Sequence, residues 1–353
     1  MRKMQDYIVR GKQVFVGLED SKRTWRICVR SMGMIVDQTS LPVDFENLRA
    51  YLVGHYPDCT IQVIYEAGFQ GFWLHDDLQA SGIDCVVTPA HTVTQEKVST
   101  VKTDRVDARR LAKILETRDY KRCAVPDGER REDRQLVRTL NQIQRDIVAT
   151  KNRIRKFLDF HGLNGDFPPG AWKSSDYARV RTLRLSGSLQ FCLDTYVMRL
   201  DELTAHRSRL HDQLKMLCDK ERYRAAVRIK ESFGGVGWLS AIRFTLEWGE
   251  LSRFPNGKCL SSFLGLAPRE HSTGDTVHKG HITKQGNAQV RAWLIQCAWR
   301  ALSRDRVLLD KFERVRRSSG SKKKAIVAVA RKMAVRMRAM ELANQPYCNG
   351  VVE

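Results

Sequence analysis

The chain has 353 residues, 42% of them hydrophobic and 29% charged, enough for two or three domains with cores of their own. Lys and Arg number 61 against 40 Asp and Glu, giving a formal net charge of +21, so the composition points to a polyanionic partner whose counterions are released on binding. No apolar run is long enough to span a bilayer and "MRKMQDYIVRGKQ" lacks the apolar core of a secretory leader, which predicts a cytoplasmic protein with nucleic acid rather than membrane as its partner.

In chain order, 13–19 (QVFVGLE), 25–30 (WRICVR) and 34–39 (MIVDQT) read as three strands separated by turn signals. A helix follows over 45–52, then a mostly apolar strand at 61–67 whose composition suits a central, buried position. A helix over 70–80, a strand at 84–89 and a basic helix over 97–115 complete a region placed at 1–122. Three meandering strands followed by helix, strand, helix, strand, helix is the order of a ribonuclease H-like domain, one of several α/β possibilities on pattern alone. In the last helix Asp104 and Asp107 lie one turn apart on the same face of "KVSTVKTDRVDARRLAKIL". Such a pair on a positive helix either is salt-bridged to neighbouring arginines or holds a cation.

The middle of the chain, 123–225, carries two heptad seams. One runs through Leu136, Leu140, Ile143, Ile147, Ile154 and Leu158, with Thr150 interrupting it. The other runs through Leu189, Leu193, Tyr196, Leu200, Leu203, Leu210, Leu214 and Leu217, with Arg207 filling the gap. "HGLNGDFPPGAWKSS" between them supplies the reversal of an antiparallel coiled coil, either an oligomer surface or a plain hairpin. Residues 226–353 read as a mainly helical region. In it "FGGVGWLSA" resembles a helix-hairpin-helix turn, in which the N–H groups of Gly235 and Gly237 could approach a phosphate. Thirteen Lys and Arg against four acids between Arg304 and Glu341, including Arg316, Arg317, Lys322, Lys323 and Lys324, form a candidate phosphate-contacting surface. His271, His278 and His281 crowd together without acidic or cysteine companions at zinc spacing, and nine cysteines lie singly with no CxxC, as suits reduced thiols.

Four acids stand where an oxygen-ligand metal site would need them: Glu19 ending the first strand, Glu66 on the fourth, and Asp104 and Asp107 opening the later helix. Strand ends one and four would be neighbours, with the helix laid across both, leaving room for one or two Mg²⁺ ions. Lys102 and Arg105 beside the two aspartates would grip phosphates.

"FVGLEDSKRTWRICV", "YEAGFQG", "VKTDRVDARRLA" and "FLGLAPREHSTGDTVHKGHITKQGNAQVRAWL" occur in that order. Together they resemble the DEDD transposases of insertion-sequence family 110, subgroup 1111, over nearly the whole chain. The resemblance implies a RuvC-like catalytic domain, a coiled coil and a C-terminal transposase domain with a nucleophilic serine. It further implies an RNA-guided recombinase that takes donor and target double-stranded DNA, a structured guide (bridge) RNA, Mg²⁺ and a homo-oligomer, dimer to tetramer, in a prokaryotic, nucleoid-associated setting. Carried over by motif, the acids fall on Glu66, Asp104 and Asp107. The first acid departs from the family's Gly-x-Asp, reading Gly17-Leu18-Glu19 with Asp20 next. Period-2 alternation sets Glu19 and Asp20 on opposite faces, and Glu19 is assigned. The serine falls on Ser272, with Glu270, His271 and Lys279 as possible helpers and Lys284, Asn287 and Arg291 as candidate backbone contacts. A capped helix start is the plain alternative for the last three. The competing functional readings are a structure-selective, Holliday-junction type endonuclease that uses water, and a binding protein whose acid site has decayed.

Overall fold

The computed structural model describes residues 9–89, 104–165, 167–168, 170–273 and 276–348, with the backbone alone over 270–279. It divides into two compact units, 1–126 and 127–353. The helices read as a separate coiled-coil domain therefore belong to the same unit as the C-terminal helices, and the division falls at Pro126/Asp127.

In the first unit the strands are β1 (Gln13–Glu19), β2 (Thr24–Ser31), β3 (Met34–Pro42), β4 (Thr60–Ala67) and β5 (Asp84–Pro89), and the helices α1 (Phe45–His55), α2 (Trp73–Ala80) and α3 (Asp104–Thr117). The sheet order is β3-β2-β1-β4-β5, antiparallel between β1, β2 and β3 and parallel between β1, β4 and β5. This element order matches the one read from the sequence, although α2 begins at Trp73 rather than at residue 70. Residues 97–103 of the expected basic helix, Lys102 among them, lie outside the described residues.

Alternation along β1 sends Val14, Val16 and Leu18 into a core with Leu48 and Leu52 of α1 and Leu74 and Leu78 of α2. The opposite face of the sheet packs Phe15, Ile64 and Val86 on Leu111 and Leu115 of α3. Helix and strand approach so closely that a Cβ on Gly17 would lie 2.2 Å from the Ala108 carbonyl oxygen and 2.3 Å from the Ala112 nitrogen. Only glycine lets α3 sit down on β1 here.

The second unit begins with α4 (Gly128–Phe160), followed by α5 (Ser174–Val180) and α6 (Gly187–Asp219). Ile147, Thr150, Ile154 and Leu158 of α4 are buried, the apolar ones packing on Leu193, Leu200 and Leu203 of α6, so the two heptad seams do meet. Then come α7 (Glu221–Glu231), α8 (Trp238–Trp248), α9 (Gly257–Phe263), β6 (Pro268–Thr273), β7 (Thr276–Ile282), α10 (Ala288–Ala301), α11 (Arg306–Ser319) and α12 (Lys322–Leu342). They share a second core that includes Phe244, Trp248, Leu294, Val329 and Met333. The antiparallel β6–β7 hairpin inside this helical region was not expected from the sequence.

Candidate active site and nucleic-acid interface

Register and alternation bring the sequence-separated acids together. Leu18 lies beside Tyr65 in the parallel pairing of β1 and β4, so Glu19 and Glu66 follow side by side at the strand ends. Both point to the α3 side, because Gly17 and Ile64, two residues earlier, face that helix. Asp104 and Asp107 occupy the first turn of α3.

The electrostatics agree with this placement. The Glu19 carboxyl is pushed up to about 7, first by burial and then by the carboxylates of Asp107, Glu66, Asp20 and Asp104. Asp20 is raised to about 6 by burial, which its own backbone N–H partly opposes. Its carboxylate lies against Gly68, 3.5 and 3.8 Å from where a Cβ would sit, and Oδ2 is buried with no hydrogen-bond partner among the described residues. Strand facing sets Glu19 on the α3 side, where it shares the field of Glu66, Asp104 and Asp107.

Arg26, cross-strand from Glu19, bonds the Ser40 hydroxyl. Arg105 and Arg109 both donate from Nε to the Gln38 side-chain oxygen at 2.9 Å. Among the described residues neither aspartate of α3 is ion-paired with these arginines, so the salt-bridge explanation of the acidic pair is not what the structure adopts. An all-carboxylate set with one member raised to near-neutral pKa suits a hard divalent cation by donor chemistry. Among the described residues no group of three His, Cys, Asp or Glu side chains is arranged as it stands to hold a metal ion.

In the second unit Ser272 lies on β6 with Val277 of β7 as its Cα partner, and His271 opposite His278. Glu270, His271, Ser272 and Lys279 lie where only backbone is described. Of the three candidate contacts after the hairpin, two have structural work. Asn287 caps α10, accepting from the Gln289 and Val290 nitrogens. Arg291 donates to the carbonyls of Gly286 (2.8 Å) and Leu264 (3.2 Å), tying the preceding loop together. The capped helix start is therefore realised at these two positions. Lys284 is exposed at φ 58°.

Gly235 is likewise explained by packing. At φ 95° a Cβ there would lie 2.7 Å from the Ala301 nitrogen and 2.8 Å from the Cys297 carbonyl oxygen, against α10. Gly237 caps α8 with open space around its Cα. Gly320, left-handed at φ 64°, ends α11 and sets Arg316 and Arg317 close in sequence to Lys322, Lys323 and Lys324 in the first turn of α12. Arg316 also pairs with Glu313 at 2.6 Å.

Comparison with known proteins matches two separate stretches of the chain, the first of which crosses the boundary at Pro126/Asp127 and includes α4. Residues 16–162 match the DEDD transposase family of IS110, described as "Transposase", and residues 228–313 match "Transposase IS116/IS110/IS902 family". The chain carries both domains of the IS110-family transposases. That class of enzyme is a DNA transposase/recombinase, acting in DNA recombination. The chain is 29% identical to the protein y4rJ of Sinorhizobium fredii over 366 residues, covering 91% of this chain and 90% of that protein. It is 29% identical to y4qE of the same organism over 237 residues, 67% of this chain and 57% of that protein. With the transposase for insertion sequence element IS1111A of Coxiella burnetii it shares 27% identity over 227 residues, 62% of this chain and 59% of the other. Against y4qE and the Coxiella protein the match thus spans under two thirds of the relative's length.

Sequence reasoning missed Arg26, Gln38, Ser40 and Arg109 beside the acids. For Arg26 a signal existed, a polar residue between the buried Trp25 and Ile27. For Gln38 there was none, because its role depends on which helix face lands over β3.

Proposed function

We propose that this IS110-type transposase is an RNA-guided DNA recombinase of an insertion sequence, with a RuvC-like acid site and a serine nucleophile. In this reading the Ser272 hydroxyl attacks a DNA phosphodiester, forming a serine–phosphate bond while the bond to the deoxyribose oxygen breaks and that oxygen takes up a proton. A hydroxyl of a second strand then attacks the phosphoserine, releasing Ser272 and joining the strands. Glu19, Glu66, Asp104 and Asp107 would hold Mg²⁺, which when bound supplies stabilisation of charge developing on the phosphate oxygens. An oligomer, dimer to tetramer, would bring copies of the acid group and of Ser272 to one scissile bond. Specificity for donor and target DNA would come from pairing with the guide RNA, the protein reading helix shape and backbone.

What supports the reading is the gathering of acids 19, 66, 104 and 107 on one side of the sheet end, inside a domain that matches DEDD transposases. The test is to incubate the full-length protein, with the RNA that copurifies, with DNA and Mg²⁺ and to look by mass spectrometry for a phosphodiester on Ser272. Ser272→Ala should abolish the adduct and strand exchange while leaving DNA binding in place. Cleavage that persists in Ser272→Ala and proceeds without RNA would instead identify a water-using, junction-type endonuclease.

A further inference from the structure

We infer that a groove beside the acid group carries the phosphodiester backbone of the DNA strand being cut, and that Gln38 is the positioning residue that sets its arginines; this rests on the recombinase reading above. The groove, of about 740 Å³, lies between β2, β3 and the start of α3, and is lined by Arg26, Gln38, Thr39, Ser40, Asp104 and Arg105. It adjoins the acid group, since Asp104 belongs to both and Arg26 is the cross-strand neighbour of Glu19.

Three guanidinium groups are fixed at this place by neutral partners. Gln38 accepts the Nε–H of Arg105 and of Arg109 through a single side-chain oxygen, and Ser40 engages Arg26. A neutral amide orients two arginines without cancelling their charge, and it occupies only the Nε edge of each. Among the described residues no hydrogen bond engages the terminal nitrogens of Arg105 and Arg109, both exposed residues, which can donate to a phosphate in the fork geometry that guanidinium favours. Had the chain needed only to tie α3 to β3, a carboxylate would have served, as Glu116 does for Arg30 at 2.7 Å further along the same helix. Positive charge clustered with its donors outward, along a groove that opens on a carboxylate group, fits a strand whose phosphates pass the arginines before one reaches the acids. Small anions would not use the groove's length.

The test measures the affinity of the full-length protein for a fluorescein-labelled DNA duplex across a salt series, with an RNA duplex of the same sequence alongside. Arg105→Ala and Arg109→Ala should each weaken DNA binding roughly fivefold and flatten the slope of log affinity against log salt by about 1, as loss of one phosphate contact does. Gln38→Glu, which keeps both arginines in place but offsets one of their two positive charges, should flatten the slope equally. Gln38→Ala should keep the wild-type slope, because both charges remain, while raising KM for DNA cleavage. A merely structural Gln38 would lower the melting temperature and leave the Gln38→Glu slope unchanged; that result overturns the inference. So would arginine variants with wild-type slopes, or variants that weaken RNA binding and leave DNA binding untouched. A missing Ser272 adduct would not bear on these slopes, so the two readings fail separately.

Discussion

Gly17 and Glu19 sit two residues apart on one strand face, and each carries a different constraint of the site. Gly17→Ala would force α3 off the sheet, because the new methyl would overlap the Ala108 and Ala112 backbone, which cannot rotate away. The expected loss is about 1–3 kcal/mol by thermal unfolding, as for other overpacked cores. Gly54→Ala, in α1 with open space around it, is the matched control and should be neutral or stabilising by about 0.4–1 kcal/mol. At Glu19 the folded state holds its proton more tightly than the unfolded chain, whose carboxyl titrates at the ordinary value of 4.5. The sign follows: between about 4.5 and about 7 the folded state binds more protons, so Glu19 makes stability fall as pH rises through that window. Glu19→Gln should therefore be indistinguishable from wild type at the acid end and more stable above pH 7, by about 1 kcal/mol after allowance for solvent screening. Melting curves across the pH range, without divalent cation, would reveal this; a constant difference at every pH would contradict it. Added Mg²⁺ should raise the wild-type melting temperature at pH 8 and leave Glu19→Gln less affected.

At the scale of elements, α7 and α12 are joined by an ion pair that burial makes consequential. Lys230 is 1% exposed and bonds Glu341, whose attraction opposes the lowering of the lysine's pKa by burial. Glu341→Ala would leave that ammonium enclosed without its counter-charge and should cost about 3–5 kcal/mol, whereas joint replacement by Met and Leu should recover most of the loss. Chemical denaturation of the single and double variants checks this. Elements also differ in how openly the sequence declares them. The strands β1, β2, β4 and β5 carry buried apolar runs, and the bounds of all five strands of the first unit were readable to within a few residues. The β6–β7 hairpin was missed although "REHST-GD-TVHKGHI" has two β-compatible runs on either side of a Gly-Asp pair. The surrounding helices made its polar strands look like loop.

For the whole molecule, two units with separate cores predict two calorimetric transitions. Gly17→Ala should shift one and Glu341→Ala the other; a single transition moved by both variants would contradict the division. The net charge of +21 should appear as steep salt dependence of nucleic-acid binding. Many cations are nonetheless spent inside the fold, among them Arg134 on the buried Glu247 and Arg336 on Asp305.

The sequence by itself determined the order of elements in the first unit, the buried character of its central strand, the heptad seams and the positions of the four acids, because periodicity records which side of a local structure is buried. Alternation also set Glu19 and Asp20 on opposite faces of their strand. Tertiary structure decided that Asn287, Arg291 and Gly235 serve packing and capping, and that Gln38 gathers Arg105 and Arg109. Those outcomes depend on which distant backbone arrives beside each residue, and register between segments far apart in the chain leaves no local trace.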